Sequence, residues 1–214
     1  NDTVFKTALL MILTYDALSW TNMDPGLVNN LVPGLFILPF VLFSATAGQI
    51  ADKFEKSRIV RTIKLIEIAI MGIAAYGWMT HTLWLLISSV VGMGLHSTFF
   101  GPVKYAYLPQ QLKQDELIGG NGMIEMGTFV GILLGEILGA VLVVHKPFGV
   151  ELVAACTMMI AVVGWLSSRQ IPITLPLDST LKINWNPLTE TVRNIRFSSQ
   201  NRPVFLSMLG NSWF

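Results

Sequence analysis

Ionisable side chains within long apolar runs are the residues of this sequence best placed to do chemistry. Asp2 and Lys6 stand four residues apart in the first run, so a helix would place them on one face and within reach of each other. A charge at membrane depth is costly and is kept where it binds an ion, a proton or a polar solute. The pair therefore predicts either a binding or ion-coupling site or a structural ion pair that neutralises itself.

Three further ionisable residues, Lys104, Glu125 and Glu136, lie in later apolar runs. Glu125 and Glu136 are eleven residues apart, close to three helical turns, so both would face nearly the same way. Either carboxyl could contact a polar headgroup, and Glu125 could instead pair with Lys104. Lys104 follows Gly101-Pro102, which predicts a kink or an end of its helix. Its ammonium could bind a phosphate or anchor the helix at the membrane surface.

Glycines recur every four positions around Glu136, at Gly127, Gly131, Gly135 and Gly139. This spacing predicts one stripe of small residues for close helix packing. It also surrounds Glu136 with apolar groups, which favour the neutral form of a carboxyl. Glu136 could therefore carry a proton or remain neutral.

Three other polar residues, Lys64, Glu67 and His96, predict structural roles. Lys64 and Glu67 are three residues apart, which predicts a salt bridge on one helix. His96 lies in an apolar run and could protonate near neutral pH, but an interior histidine with satisfied hydrogen bonds is the favoured interpretation.

One short connection between apolar runs contains a glycine, an aspartate and several spaced basic residues. Gly48 would allow two helices to approach closely. Asp52 is placed to accept hydrogen bonds from the start of the following helix. Lys53, Lys56 and Arg58 would hold the connection on the cytoplasmic side. The alternative is an ordinary basic loop.

Enzyme chemistry finds no support in the sequence. It contains no phosphate-binding loop of the type G-x-x-x-x-G-K-[ST], no H-E-x-x-H and no G-x-S-x-G. No histidine is followed five residues later by an aspartate, so an acyltransferase H-x-x-x-x-D pattern is absent. With one cysteine and three histidines, neither a metal site nor a cofactor is expected. Nucleic acid is not expected as a partner, since no long basic face is present.

The elements that must position these residues are membrane-spanning helices. Hydrophobic residues make up 52% of the chain and charged residues only 13%, about half the usual charged share of a soluble domain. A spanning helix needs about 20 mostly apolar residues. Runs of that length are predicted at Asp2–Trp20, Leu27–Ala51, Val60–Met79, Leu83–Phe100 with a possible extension to Tyr107, Gly122–Val144 and Glu151–Ser168. We therefore expect an all-α membrane protein.

The domain organisation follows from these runs. Residues 1–169 would form a six-helix N-terminal bundle with the first helix truncated. Residues 170–202 would form a cytoplasmic linker, with a possible amphipathic helix around Leu188–Phe197. Residues 203–214 would begin a seventh, truncated span. This is the plan of a six-plus-six transporter cut after its first half.

The basic residues predict the orientation of the bundle. The connections after the second, fourth and sixth spans contain Lys53, Lys56, Arg58, Arg61, Lys104, Lys113, Arg169, Lys182, Arg193, Arg196 and Arg202. The other connections contain Asp16, Asp24, His81, His145 and Lys146. Basic residues favour the cytoplasmic side, so a cytoplasmic N-terminus is expected.

The connection from Gly48 to Arg58 resembles the signature loop of the major facilitator superfamily. Three further segments narrow the resemblance to the lysophospholipid transporter family: Asn1-Asp2, the GPVKY segment from Gly101 to Tyr105, and the NGMIE segment from Asn121 to Glu125. The chain is similar to the version found as the membrane domain of bacterial proteins that also carry an acyltransferase. This resemblance covers most of residues 1–170.

The resemblance implies a bacterial inner-membrane carrier that moves lysophospholipid, such as lysophosphatidylethanolamine, by alternating access. It implies that Asp2, Lys104 and Glu125 contact the headgroup or a coupling cation. It implies that the loop with Asp52 latches one conformation against a C-terminal half. Two alternatives remain open: a facilitator for another amphipathic solute, drug or metabolite, or a membrane anchor that feeds substrate to a fused acyltransferase.

Overall fold

The computed structural model describes residues 1–16, 20–21, 24–145 and 147–213. Within those ranges the chain forms eight helices and no strand, as the all-α expectation requires. The helices are α1 (Asp2–Tyr15), α2 (Pro25–Lys53), α3 (Lys56–Met79), α4 (Leu83–Gln111), α5 (Leu117–Val143), α6 (Gly149–Ser168), α7 (Pro187–Ser199) and α8 (Arg202–Trp213).

Four of these helices, α2, α4, α5 and α6, are long and apolar enough to cross a membrane. Helices α1 to α6 follow the order of the six predicted spans. The first predicted span is longer than α1, which ends at Tyr15, and residues 17–19 of that span lie outside the described residues. Lys146, used in the orientation prediction, also lies outside them.

Helix α4 is longer than the sequence predicts. It does not end at Gly101-Pro102 but continues through Pro102 and Pro109 to Gln111. In hydrocarbon an interrupted helix would expose unpaired backbone groups, so proline is tolerated within a spanning helix more readily than in water. This continuation keeps Lys104 and Tyr105 on regular helix beside α5.

Helix α1 contributes to the main core and packs against α2, α4, α5 and α6. Phe5, Leu9 and Leu13 of α1 are fully buried. Phe5 meets the Trp78 ring of α3 edge to face, with 6.0 Å between centroids. Such aromatic contacts fix the rotation of α1, and this rotation decides where its charged residues point.

Helix α1 approaches α5 closely at two glycines. A Cβ at Gly139 would lie 2.6 Å from the backbone oxygen of Val4, and one at Gly135 would lie 3.0 Å from Thr3. Only glycine permits this separation of the two backbones. Gly127 and Gly131 have no atom within 4 Å of a Cβ position, so among the described residues the predicted stripe packs only over its second half.

The connection after α6 lies across the ends of α2, α3 and α4. Asn184 exchanges two hydrogen bonds with the Gln49 side chain, donated over 2.8 Å by its backbone N–H and accepted over 3.3 Å by its backbone oxygen. The backbone N–H of Leu177 donates to the Asp52 oxygen over 3.0 Å, and Gln110 donates to the Leu175 oxygen over 3.1 Å. This segment is therefore fixed to the bundle before α7 begins.

Candidate functional site

Asp2 and Lys6 form the predicted pair on α1. Lys6 Nζ lies 4.0 Å from Asp2 Oδ2, and both side chains are partly exposed. The same Nζ lies 3.5 Å from the centroid of the Phe36 ring on α2, a cation–π contact. The pair is therefore accessible, and its ammonium is held by a ring as well as by a carboxylate.

Glu136 adds a second carboxylate to this pair. It lies on the exposed side of α5, where it interacts electrostatically with Lys6. The close approach of α1 to α5 at Gly135 and Gly139 places the acidic residue there. Gly135 and Gly139 face α1, whereas Glu136 itself is exposed on α5.

We call Asp2, Lys6, Phe36 and Glu136 the α1 charge cluster. It offers two carboxylates for a cation or an ammonium group and one ammonium for a phosphate. A zwitterionic headgroup carries both of these charges. The cluster's ring, that of Phe36, already holds the Lys6 ammonium.

Lys104 and Glu125 belong to a different contact, between α4 and α5. Lys104 Nζ donates to Thr128 Oγ1 over 3.1 Å, and Tyr105 Oη donates to Glu125 Oε1. Among the described residues no ion pair within 4 Å joins Lys104 to Glu125, so the predicted pairing is wrong. The Tyr105 hydroxyl takes the position next to the Glu125 carboxylate instead.

The structure thus divides the predicted site residues into two groups. Glu125 and Glu136 are eleven residues apart on one continuous helix. Their separation along its axis is about 16 Å. Asp2 and Lys6 form one pair, which Glu136 influences electrostatically, whereas Lys104 and Glu125 lie nearer the start of α5.

A buried polar cluster in the interior was not identified as one site by sequence reasoning. Its centre is Glu67 of α3, whose side chain is 1% exposed. Lys64 Nζ lies 2.8 Å from Glu67 Oε2, which confirms the predicted salt bridge. Asn1 Nδ2 donates to Oε1 over 2.6 Å. His96 Nε2 of α4 lies 3.1 Å from Oε2, although the ring is not aligned for a hydrogen bond.

This Glu67 cluster joins α1, α3 and α4 in the interior. Lys64 Nζ also lies 5.0 Å from the Phe100 ring centroid, and His96 stacks on that ring at an interplanar angle of 9°. The His96 contact with Glu67 was detectable in the sequence. Helix α3 ends at Met79 and α4 begins at Leu83, with a short turn between them. Glu67 is twelve residues before that end and His96 is thirteen residues after that beginning. Two antiparallel helices joined in this way therefore place Glu67 and His96 at the same height along the helix pair.

The loop between α2 and α3 differs from its prediction in two respects. Asp52 is exposed and does not cap α3. Glu55 is the cap, accepting from the backbone N–H groups of Ser57 over 2.7 Å and Arg58 over 2.9 Å. A Cβ at Gly48 would meet no atom within 4 Å, so no close helix contact forms there among the described residues.

The Glu55 carboxylate also holds the connection after α6, because Thr174 donates its backbone N–H to it over 3.1 Å. Burial would raise the pKa of Glu55, but the hydrogen bonds from Thr174, Ser57 and Arg58 outweigh burial and lower the pKa below its ordinary value. The cap is therefore ionised at neutral pH.

The basic residues of the loop have unlike environments. Lys56 is fully buried, near Asp52 and Glu55, and burial lowers its pKa more than these carboxylates raise it. Arg58 is exposed, and Lys53 lies over the Phe54 ring at 5.7 Å. Lys53 and Arg58 are thus the cations that this loop presents outward.

A family model described as "Major Facilitator Superfamily" matches residues 2–213 of the chain. Among named proteins, the chain is 27% identical over 202 residues to "Lysophospholipid transporter LplT" of Enterobacter sp. (strain 638), covering 92% of this chain and 48% of that protein.

Two further relatives carry the same name. The protein of Klebsiella pneumoniae subsp. pneumoniae is 26% identical over 184 residues, covering 84% of this chain and 43% of the relative. The protein of Salmonella paratyphi B is 33% identical over 111 residues, covering 50% of this chain and 26% of the relative. The chain therefore spans about half the length, or less, of the relatives it matches.

Proposed function

Because this chain belongs to the major facilitator superfamily, we propose that it forms one half of an alternating-access carrier that moves lysophospholipid from the outer to the inner leaflet of a bacterial inner membrane. The name shared by the relatives, "Lysophospholipid transporter LplT", supports this substrate class. Four helices able to cross a membrane support a membrane location.

The observation that carries the proposal is the α1 charge cluster. Asp2 and Lys6 are partly exposed rather than sealed, and Glu136 of α5 interacts electrostatically with Lys6. In a lysophosphatidylethanolamine headgroup, the ammonium would meet the carboxylates and the phosphate would meet Lys6. These groups replace water around the headgroup as it crosses the hydrocarbon, where an unpaired charge is prohibitive.

The acyl chain needs no polar path. Helix α5 exposes apolar side chains such as Met126, Phe129 and Leu133. We propose that the chain remains in lipid through a lateral gap beside this helix while the headgroup moves. Lys104 and Glu125, nearer the start of α5, would then meet the headgroup at another stage of its path.

The loop from Gly48 to Arg58 would act on the conformational equilibrium. Gly48 leaves open space that a facing helix of a C-terminal half could occupy, and Asp52 is exposed beside it. We propose that this loop latches the two halves on the cytoplasmic side, in the orientation that the basic connections predict. A coupling cation or proton would bind at the α1 charge cluster.

Uptake into proteoliposomes tests the proposal. The full-length protein should accumulate radiolabelled lysophosphatidylethanolamine at a rate at least about tenfold above protein-free vesicles, and excess unlabelled lysophosphatidylethanolamine should compete. Diacyl phosphatidylethanolamine should compete poorly, because the lateral path must accommodate a second chain.

Two results would contradict it. Uptake of an unrelated amphipathic solute with no effect of lysophospholipid would indicate a facilitator of other specificity. Absence of any uptake, together with lysophospholipid-dependent acylation by a fused downstream domain, would indicate an anchor that feeds an enzyme.

A further inference from the structure

A long groove runs between α3 and α4, and residues of α2 and of the connection after α6 line one of its ends. It has a volume of about 890 Å³. Its wall is largely aliphatic, and it includes Ile59, Ile63, Ile66 and Ile70 of α3 and Leu95 and Phe99 of α4. We call this the α3–α4 groove. No residue of the α1 charge cluster lines it.

The length of the groove matches one leaflet of a membrane. Arg58 stands at one end, and Ile70 stands twelve residues further along α3 near the other. At 1.5 Å per residue this distance is about 18 Å. Half of the hydrocarbon core of a bilayer is about 15 Å. An acyl chain of a single leaflet therefore fits the groove from end to end.

Charge is concentrated at one end of the groove. Lys53 and Arg58 line this end, and neither forms an ion pair within 4 Å among the described residues. Asp178 acts on Lys53 electrostatically from the exposed connection after α6. Glu55 also lines the end, but its oxygens already accept from Ser57, Arg58 and Thr174. The two cations therefore remain available to an anion.

His96 connects the groove to the interior. It lines the inner wall, its side chain is 6% exposed, and its Nε2 lies 3.1 Å from Glu67. An occupant of the groove would pack against the residue that borders the Glu67 cluster. The same occupant would also contact Pro176. Pro176 belongs to the connection after α6, which is fixed to the bundle.

We propose that the α3–α4 groove binds one anionic phospholipid of the adjoining leaflet, with an acyl chain along the isoleucine wall and the phosphate between Lys53 and Arg58. An aliphatic groove with cations at only one end fits an amphiphile with one charged end better than a transmembrane helix. This lipid is not the transported substrate. It contacts Lys53 and Arg58 and stabilises the loop between α2 and α3.

Native mass spectrometry of the full-length protein with added dioleoylphosphatidylglycerol tests this site. The double variant Lys53→Ala/Arg58→Ala should weaken lipid retention by about tenfold, because both phosphate contacts are lost. Ile66→Trp should also weaken it by about tenfold, because the indole fills the groove from an exposed wall position. Lys113→Ala/Lys182→Ala is the matched control, with two exposed cations removed outside the groove.

Supporting data are weakened retention in both groove variants, unchanged retention in the control, and unchanged lysophosphatidylethanolamine uptake by Ile66→Trp. An equal loss of lipid retention in the control and in Lys53→Ala/Arg58→Ala would overturn the proposal. General attraction of the lipid to exposed cations would then explain both losses. Full retention by Ile66→Trp would also overturn it, because the groove would then hold no chain. Disulfide-linked dimers of Ile66→Cys in a Cys156→Ser background would overturn it in favour of a second copy.

Discussion

Replacing Glu67 by leucine should lower the midpoint of thermal unfolding of the detergent-solubilised protein by about 10 °C. Glu67 is 1% exposed and lies 2.8 Å from the ammonium of Lys64. Its removal leaves that ammonium without its carboxylate and also removes the acceptor for Asn1. Breaking one partner of a buried pair typically costs about 3–5 kcal/mol. Midpoints can be measured by fluorescence-detected size-exclusion chromatography after heating.

Two further variants separate a lost charge partner from lost packing. Lys64→Met/Glu67→Met removes both charges and should recover at least half of the loss, because an apolar pair of similar volume often replaces a buried ion pair without penalty. Glu151→Leu is the control, since this carboxylate is exposed in the first turn of α6. A Glu67→Leu midpoint within about 2 °C of the wild type would contradict a structural role for the Glu67 cluster.

Replacing Asp2 by asparagine should reduce lysophosphatidylethanolamine uptake by at least about tenfold, because a charge-assisted contact to the headgroup or to a coupling ion is lost. Asn has nearly the same shape as Asp, so the packing of α1 is preserved. Initial rates should be measured in proteoliposomes at equal protein content. Asp115→Asn, in the exposed connection between α4 and α5, is the matched control and should transport at the wild-type rate.

A double variant distinguishes a functional carboxylate from a structural ion pair. If Asp2 serves only to neutralise Lys6, which lies 4.0 Å away, then Asp2→Asn/Lys6→Gln removes both charges and uptake should return. If the pair contacts the headgroup, uptake should remain at least about tenfold reduced in the double variant. Wild-type uptake and unchanged ion dependence in Asp2→Asn would contradict the role proposed for the α1 charge cluster.

Hydropathy predicted the helical class of the fold, and four of the six predicted spans coincide with described helices that are long and apolar enough to cross a membrane. The all-α class is confirmed, and the Lys64–Glu67 salt bridge is confirmed at 2.8 Å. Both depend on local features, namely the length of apolar runs and the three-residue separation of neighbours on one helix face. Helix ends were less predictable. Gly101-Pro102 does not end α4, which continues through Pro102 and Pro109 to Gln111, so the local preference of proline is overridden here.

The site could be predicted only in part, because its geometry depends on contacts between helices. The sequence shows Glu125 and Lys104, but not that Tyr105 donates to Glu125 while Lys104 donates to Thr128. Likewise, two candidate acids precede α3, and only the backbone geometry of the loop selects Glu55 over Asp52 as the cap. The α3–α4 groove is a property of two packed helices, so no single segment predicts it.

Lysophospholipid transport and the lipid groove both require that α1 to α6 cross a bilayer with the basic connections on one side. Accessibility of single cysteines in a Cys156→Ser background tests this requirement most directly. With a membrane-impermeant thiol reagent applied to intact spheroplasts, His145→Cys should react at once, whereas Lys113→Cys should react only after permeabilisation. Reaction of both cysteines from the same side, or recovery of the full-length protein as a monodisperse species without detergent, would contradict this topology and the function proposed from it.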